Sequence, residues 1–417
     1  MKKTLKSILA ASLTLSTVLA PLTAMAQEEN AGIEISFMIP DWGAPSDEML
    51  ARFEEEYGIK VNVLPTSWDD IRDKLAIAAA SNTVAADVFE VDWSWMGEFT
   101  SADWLAPIDL PDADAFPAIE QFMLNDEVYA VPYANDFRIA YYNTKMYEEA
   151  GLEEPPVTWD QVMEQAKTIK DAGITEYPVS LPLGADENLT TTFFWLAYTR
   201  NGIIFNEDNT LNEEASLDAL TIIKALSDEE LINPGNVNGS GMDAYRQINS
   251  GDTAFIVGPS SFVGRVNNEE ESTVVGQVKP ILLPGVDANA ERTVPFQEAV
   301  GISPNTENME AAQTFVKWYT SEETQLELFD AVGALPTRLS ILQQLIDEEK
   351  IKNTGAMVEL AEMVESPFPN GVPEYYTEMS AEIYNTINKM VTSDLSAEEV
   401  VKELVEKVNS VVEEFAE

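Results

Sequence analysis

The chain has 417 residues, of which 73 are acidic and 24 basic, with no histidine and no cysteine. Those two absences exclude disulfides, thiol nucleophiles, zinc sites of the usual kind and every Ser-His-Asp arrangement. The formal net charge of −49 excludes nucleic acid and anionic lipid as partners, since both require a basic face.

Lys2, Lys3 and Lys6 open the chain, and an apolar, Ala- and Leu-rich stretch follows over residues 8–20. Ala24-Met25-Ala26 then puts small residues where a signal peptidase reads. The stretch is too short for a membrane span, so residues 1–26 are expected to be a cleavable signal peptide. With no cysteine at the cleavage point, a lipid anchor is not expected, and the protein should lie free in the periplasm or be secreted. Without the three leader lysines, 21 basic residues face 73 acidic ones, a charge near −52. Self-repulsion on that scale is screened where cations are concentrated. Adaptation to high salt is therefore expected, beside the plainer reading of a well-solvated acidic surface. The remaining length and a hydrophobic fraction of 45% suit two domains better than one.

Residues 33–39 (IEISFMI) form a short apolar strand ending at Pro40-Asp41-Trp42-Gly43. Ser46 is the N-cap of a helix, with Asp47 and Glu48 favoured by its dipole, an inner stripe of Met49, Leu50, Phe53 and Tyr57, and Gly58 as its stop. Residues 59–64 alternate as a strand, and Ser67 caps a second helix with Ile71, Leu75 and Ala78 inside. Residues 88–91 are a third strand, ending at Asp92-Trp93. A β-α-β-α-β run of this kind builds a parallel sheet whose ligands lie outside the carboxyl ends of its strands. Asp41-Trp42, Ser67-Trp68 and Asp92-Trp93 all fall at such ends and should line one rim. Further strands are expected over 128–133, 139–142, 255–257 and 294–303. Thr158 and Gln161 have capping-box spacing and open a helix to about Asp171. After residue 338 the chain reads as helical, interrupted at Gly371 and Pro373.

Six segments, in order, carry a family resemblance. They are FEEEYGIKVNV, AADVFEVD, VYAVPYANDFRIAYYNTKMYEEAGLEEPPVTWDQV, INSGDTAFIVGPSSF, VGISPNTENMEAAQTFVKWYTSEETQ and GALPTR. With them the chain resembles the extracellular solute-binding proteins of carbohydrate ABC importers, the group that includes maltose-binding proteins. The resemblance implies an α/β, two-lobed periplasmic-binding-protein fold of type II, with the ligand cleft between lobes. Three chain crossings are implied near residues 135–138, 294–299 and 333–338. Lobe 1 would then comprise residues 27–135 and 294–335, and lobe 2 residues 136–293 and the helical 336–417.

Sugars offer hydroxyls to charged and polar groups and flat C–H faces to aromatic rings. Asp41, Trp42, Asp92 and Trp93 at the strand ends have this mixture, as do Trp68 and Arg72, which share one helix face. Asp41 and Asp92 are open to a second reading as turn or cap residues. Two of Trp42, Trp68 and Trp93 are expected to touch ligand. By its spacing to Tyr142-Asn143, Asp136 matches a carboxylate that similar sugar binders place at the first crossing; pairing with Arg138 is the alternative. The resemblance puts Ser260 where many relatives carry tryptophan, which leaves that stacking contact in doubt, with Phe296 or Trp195 as the substitute ring. Arg338 matches an arginine that reaches the sugar in some relatives, unless it pairs with a surface carboxylate. Tyr375 or Tyr376 lies where a further aromatic is often found. Trp159 and Trp318 should pack locally.

The expected action is hinge closure over a small-molecule sugar, delivered to the membrane permease subunits of an ABC transporter by a monomer, with no cofactor and no covalent chemistry. A polyamine or another non-sugar solute is the alternative ligand. Iron held by the tyrosine pairs at 141–142 and 375–376 is disfavoured, because neighbours in a strand face opposite ways. A two-carboxylate glycosidase is disfavoured because the resemblance assigns the cleft acids to binding.

Overall fold

The computed structural model describes residues 30, 32–117, 119–351 and 355–416; the expected leader and its cleavage point lie outside the described residues. The strands are β1 (Ile33–Ile39), β2 (Ile59–Pro65), β3 (Val88–Asp92), β4 (Met123–Leu124), β5 (Glu127–Val128), β6 (Ala130–Ala134), β7 (Arg138–Asn143), β8 (Val179–Ser180), β9 (Phe255–Pro259), β10 (Val278–Ile281) and β11 (Glu298–Ile302).

Local chemistry sets the early elements. The helix Asp47–Tyr57 is capped by Ser46, whose side chain accepts from the Met49 N–H, and it stops at Gly58, which takes a left-handed φ of 73°. Met49 and Phe53 bury its inner face. Ser67 precedes the helix Trp68–Ala80 as expected, yet its side chain makes no cap bond. Thr158 caps the helix Trp159–Asp171 by accepting from the Gln161 N–H, while the Gln161 side chain returns to the Val157 N–H instead of to Thr158.

Lobe 1 is a five-stranded sheet of order β2-β1-β3-β11-β6. β1 runs parallel to β2 and β3, but β11 is antiparallel to both β3 and β6. The expectation of a parallel sheet thus holds only for the first three strands. The physical reason is the direction of entry: β11 arrives from the other lobe at the edge where β3 and β6 end, and has to run away from it. Lobe 2 carries the order β10-β7-β9-β8, with β7 antiparallel to β9 and β10 and β8 parallel to β9. The C-terminal helices Tyr376–Val391 and Ala397–Ala416 pack on each other and on Glu187–Asn201 and Glu213–Asp228 of this lobe.

The crossings are braced by backbone bonds. Asn135 N donates to Leu335 O at 2.8 Å, Ser260 N to Phe137 O at 3.0 Å and Phe296 N to Asp136 O at 2.6 Å. The expected strand over 294–303 accordingly begins only at Glu298, because the residues before it are spent on the crossing. At the third crossing, Thr337 Oγ1 donates to Pro132 O at 2.9 Å and Arg338 Nε to Thr320 O at 3.2 Å, bonds that brace the crossing against lobe 1.

The lobes touch across the cleft at Gly97, in the helix Met96–Ser101. A Cβ added there would lie 2.2 Å from Val372 O and 2.4 Å from the Pro373 carbonyl carbon. Only glycine permits this approach. No described helix is long and apolar enough to cross a membrane.

Candidate functional site

The carboxyl ends of β1 and β3 and the helix start at Trp68 meet at one edge of lobe 1, as the strand-end pattern requires. Asp92 is buried there; its Oδ1 accepts the Ser94 N–H at 2.8 Å and the Ser94 hydroxyl, and its Oδ2 accepts Trp68 Nε1 at 3.3 Å. It is therefore a cap residue and a member of the rim at once. Trp93, 3% exposed, is the junction of the two lobes. Its ring centroid is 5.0 Å from Phe296 at the second crossing, and 5.1 Å and 5.9 Å from Tyr376 and Phe368 of lobe 2.

Lobe 2 answers with Glu187, the first residue of the helix Glu187–Asn201. Its carboxylate accepts from the hydroxyls of Tyr376 and Ser380. Burial outweighs these bonds and pushes its pKa up to about 8. Beside it, Asp186 accepts the N–H groups of Asn188 and Gly241, at 2.9 and 3.2 Å. At the first crossing Asp136 holds Arg138 at 2.7 Å. The Arg138 guanidinium lies over the Phe296 ring at 4.5 Å and near Tyr245 at 5.9 Å. Burial raises the Asp136 and Asp92 carboxyls above their ordinary range, against the pull of their partners.

Of the residues expected at the ligand, Asp92, Trp93, Asp136 and Phe296 come together, with Trp68 bonded to Asp92. Asp41 and Trp42 lie just past the carboxyl end of β1, on the rim side, and are exposed. Arg72 is engaged elsewhere, in a two-point pair with Glu98 at 2.7 Å for both contacts. Trp195 lies in the core of lobe 2, its ring stacked on Trp159 at 5.7 Å. Its helix is buried on every face from Leu189 to Thr199, four threonines included. Ser260 is fully buried within the hinge: its Oγ donates to Asn135 O at 3.2 Å and accepts the Phe137 N–H at 3.3 Å. Arg338 gives its donors to Thr320 O and to Asp112 at 2.7 Å, and its guanidinium lies over Phe116 at 4.2 Å. Tyr375 packs on Phe415 at 5.2 Å, and it is the neighbouring Tyr376 that reaches Trp93. The Tyr141 hydroxyl is spent on Pro259 O and Ser260 O.

Glu187, Asp186, Tyr245, Glu90 and Glu298 were not foreseen at this place. Asp186 and Glu187 stand at the start of the helix Glu187–Asn201 and Tyr245 on the buried side of the helix Gly241–Ser250, and no local pattern singles them out. Glu90 left a signal, an acid in the middle of the strand VFEVD, where every residue is buried.

Two lobes, interleaved in sequence and closing on a polar and aromatic junction, define a clamp for a small solute. The model of the bacterial extracellular solute-binding protein family matches residues 14–326. The chain belongs to that family, a family of solute-binding proteins. Among curated relatives, a binding protein of Brucella abortus is 24% identical over 330 residues, covering 76% of this chain and 78% of the relative. Among solved structures, maltose-bound T. maritima MalE3 has a TM-score of 0.79 at 22% identity, covering 91% of this chain and 100% of that one. An ABC transporter solute-binding protein from Thermotoga lettingae, bound with α-D-tagatose, has a TM-score of 0.79 at 21% identity, again over 91% and 100%. At these identities the structural likeness speaks for the two-lobed fold.

Proposed function

We propose that the chain binds a sugar in the interlobe cleft and delivers it to a membrane ABC transporter by hinge closure. The observation that carries this reading is the junction at Trp93. Carboxyl and aromatic groups from lobe 1 (Asp92, Trp93) and lobe 2 (Glu187, Tyr376) converge there, and Asp136 and Phe296 enter from the crossings. Rings offer faces to sugar C–H groups and carboxylates accept from hydroxyls. A ligand that bridges both sets selects the closed form, since both sets of contacts exist only there. The bound maltose and tagatose of the two structural relatives support a saccharide.

On this reading the protein works as a monomer outside the cytoplasmic membrane after loss of residues 1–26, and the permease reads the closed clamp. The lobes divide as 27–135 with 294–335, and 136–293 with 336–417. The carboxyls at the junction serve binding and not hydrolysis. The test is a thermal-shift panel of mono- and disaccharides at several salt concentrations, followed by small-angle scattering. A ligand at a hundred times its Kd should stabilise by about 2.7 kcal/mol, and the molecule should compact. Tight binding with an unchanged shape would overturn the hinge mechanism, and hydrolysis of the bound sugar would overturn the assignment of the carboxyls.

A further inference from the structure

The junction gathers buried carboxyl groups from both lobes and from the hinge. Glu90, Asp92, Asp136, Glu187 and Glu298 form one electrostatically linked set that runs from lobe 1 through the hinge to lobe 2. Asp92 acts on Glu90, Glu187 and Glu298, Asp136 acts on Asp92 and Glu298, and Glu90 acts on Glu298. Tyr133 and Tyr319 face Glu90 from β6 and the helix Met309–Tyr319. Tyr376, Tyr384 and Asp186 face Glu187 from within lobe 2, and Tyr141 and Tyr245 face Asp136. The cation in contact with this set, among the described residues, is Arg138, and Asp136 already holds it.

The acidic surface does not account for the set. Surface carboxylates stay hydrated, whereas burying a charge without a partner is costly. Hydrogen-bonding capacity is also left unspent at the same place. The Nε of buried Arg138 has no hydrogen-bond partner, while Glu90 lies against Tyr133 and Glu298. Aromatic faces complete the surroundings, with Trp93 against Phe296 and Tyr376. Carboxylates around ring faces are the chemistry that recognises an organic cation.

We propose that the solute is a saccharide bearing a basic nitrogen, its ammonium group seated among Asp92, Asp136 and Glu187 beside Trp93 and Tyr376. This rests on the junction being the solute site. An ammonium supplies the charge that closure otherwise draws from protons, and its hydroxyl-bearing body meets Arg138 and Tyr245. Sugar phosphates and sugar acids are rejected, because they add to the negative set.

The experiment is titration calorimetry of the full chain with matched forms of the saccharide scaffold that the thermal-shift panel selects. Each scaffold is tested with an amino, a hydroxyl or a carboxylate group at one carbon, as in glucosamine, glucose and glucuronate, with putrescine as the non-sugar cation. The amino form is expected to bind at least tenfold tighter than the hydroxyl form, and the carboxylate form not at all. Runs at pH 7 in two buffers of different ionisation enthalpy count protons: a hydroxyl ligand should draw protons in on closure, and the amino ligand should abolish that uptake. Glu187→Gln, and independently Asp92→Asn, should weaken the amino form at least tenfold more than they weaken the hydroxyl form; equal losses for the two forms would overturn the seating of the ammonium among these carboxyls. Equal affinity for amino and hydroxyl forms would overturn the inference while leaving the sugar reading in place. Binding of putrescine with no response to any saccharide would overturn the sugar reading and its saccharide body, while upholding the positive charge.

Discussion

Gly97→Ala is a direct probe of closure, because it separates the clamp from the fold. With the lobes in contact as in the structure, the added methyl would lie 2.2 Å from Val372 O and 2.5 Å from Pro373 O. An ordinary contact of that kind is about 3.4 Å, so the facing backbone has to retreat by roughly 1 Å; inserting a methylene into a packed contact costs about 1–3 kcal/mol. That corresponds to a loss of affinity of about 5- to 150-fold. The opposing effect is local: Gly97 lies in the helix Met96–Ser101, where alanine is preferred to glycine by about 1 kcal/mol. With the lobes parted, the variant should unfold in urea at the same or a higher midpoint than the parent. Calorimetric affinity for the selected saccharide should nevertheless fall, mostly through faster release. A variant that binds as tightly as the parent would show that this approach does not form in the liganded clamp. A variant with a lowered urea midpoint would show instead that Gly97 serves the fold of lobe 1.

Further outcomes are expected. Burial raises the Glu90 pKa from its ordinary 4.5 to about 8. Between those values the folded chain holds the extra proton, so stability should fall as pH rises across that window. Glu90→Gln should flatten this decline and be more stable at pH 8 by about 1–3 kcal/mol; identical slopes in pH-dependent urea melts would contradict the argument. Trp195→Ala should cost about 3–5 kcal/mol of stability, since its ring is buried against Trp159; normal stability with lost solute binding would put Trp195 at the ligand. With 73 acidic residues against 24 basic ones, the melting temperature should rise steadily from dilute buffer to molar potassium chloride. A protein no less stable in dilute buffer would refute the expectation of salt adaptation.

Much of lobe 1 was legible because its signals are local. Ser46, Gly58 and Thr158 mark helix ends through bonds made within a few residues. The direction of β11 was not legible, since it depends on partners in β3 and β6 far along the chain. The site divides in the same way. Asp92 and Trp93 follow from the rule that strand ends face the ligand, whereas Glu187 and Tyr376 enter by tertiary packing that no spacing encodes. Arg72 and Arg338 fit a binding pattern equally well, and their pairing with Glu98 and Asp112 became visible only once distant segments were placed.

The place of β11 between β3 and β6 bears on how the molecule comes into being. Val91 pairs with Ala299, so the middle of the first sheet waits for a segment roughly two hundred residues further on, and contacts of such long range fold slowly. Until β11 arrives, β3 and β6 keep open edges and the sheet stays in two pieces. A nascent chain therefore has a long interval in which lobe 1 has not closed around its core. In that interval, with β3 and β6 not yet joined through β11, the chain remains loose enough to be threaded through a narrow pore.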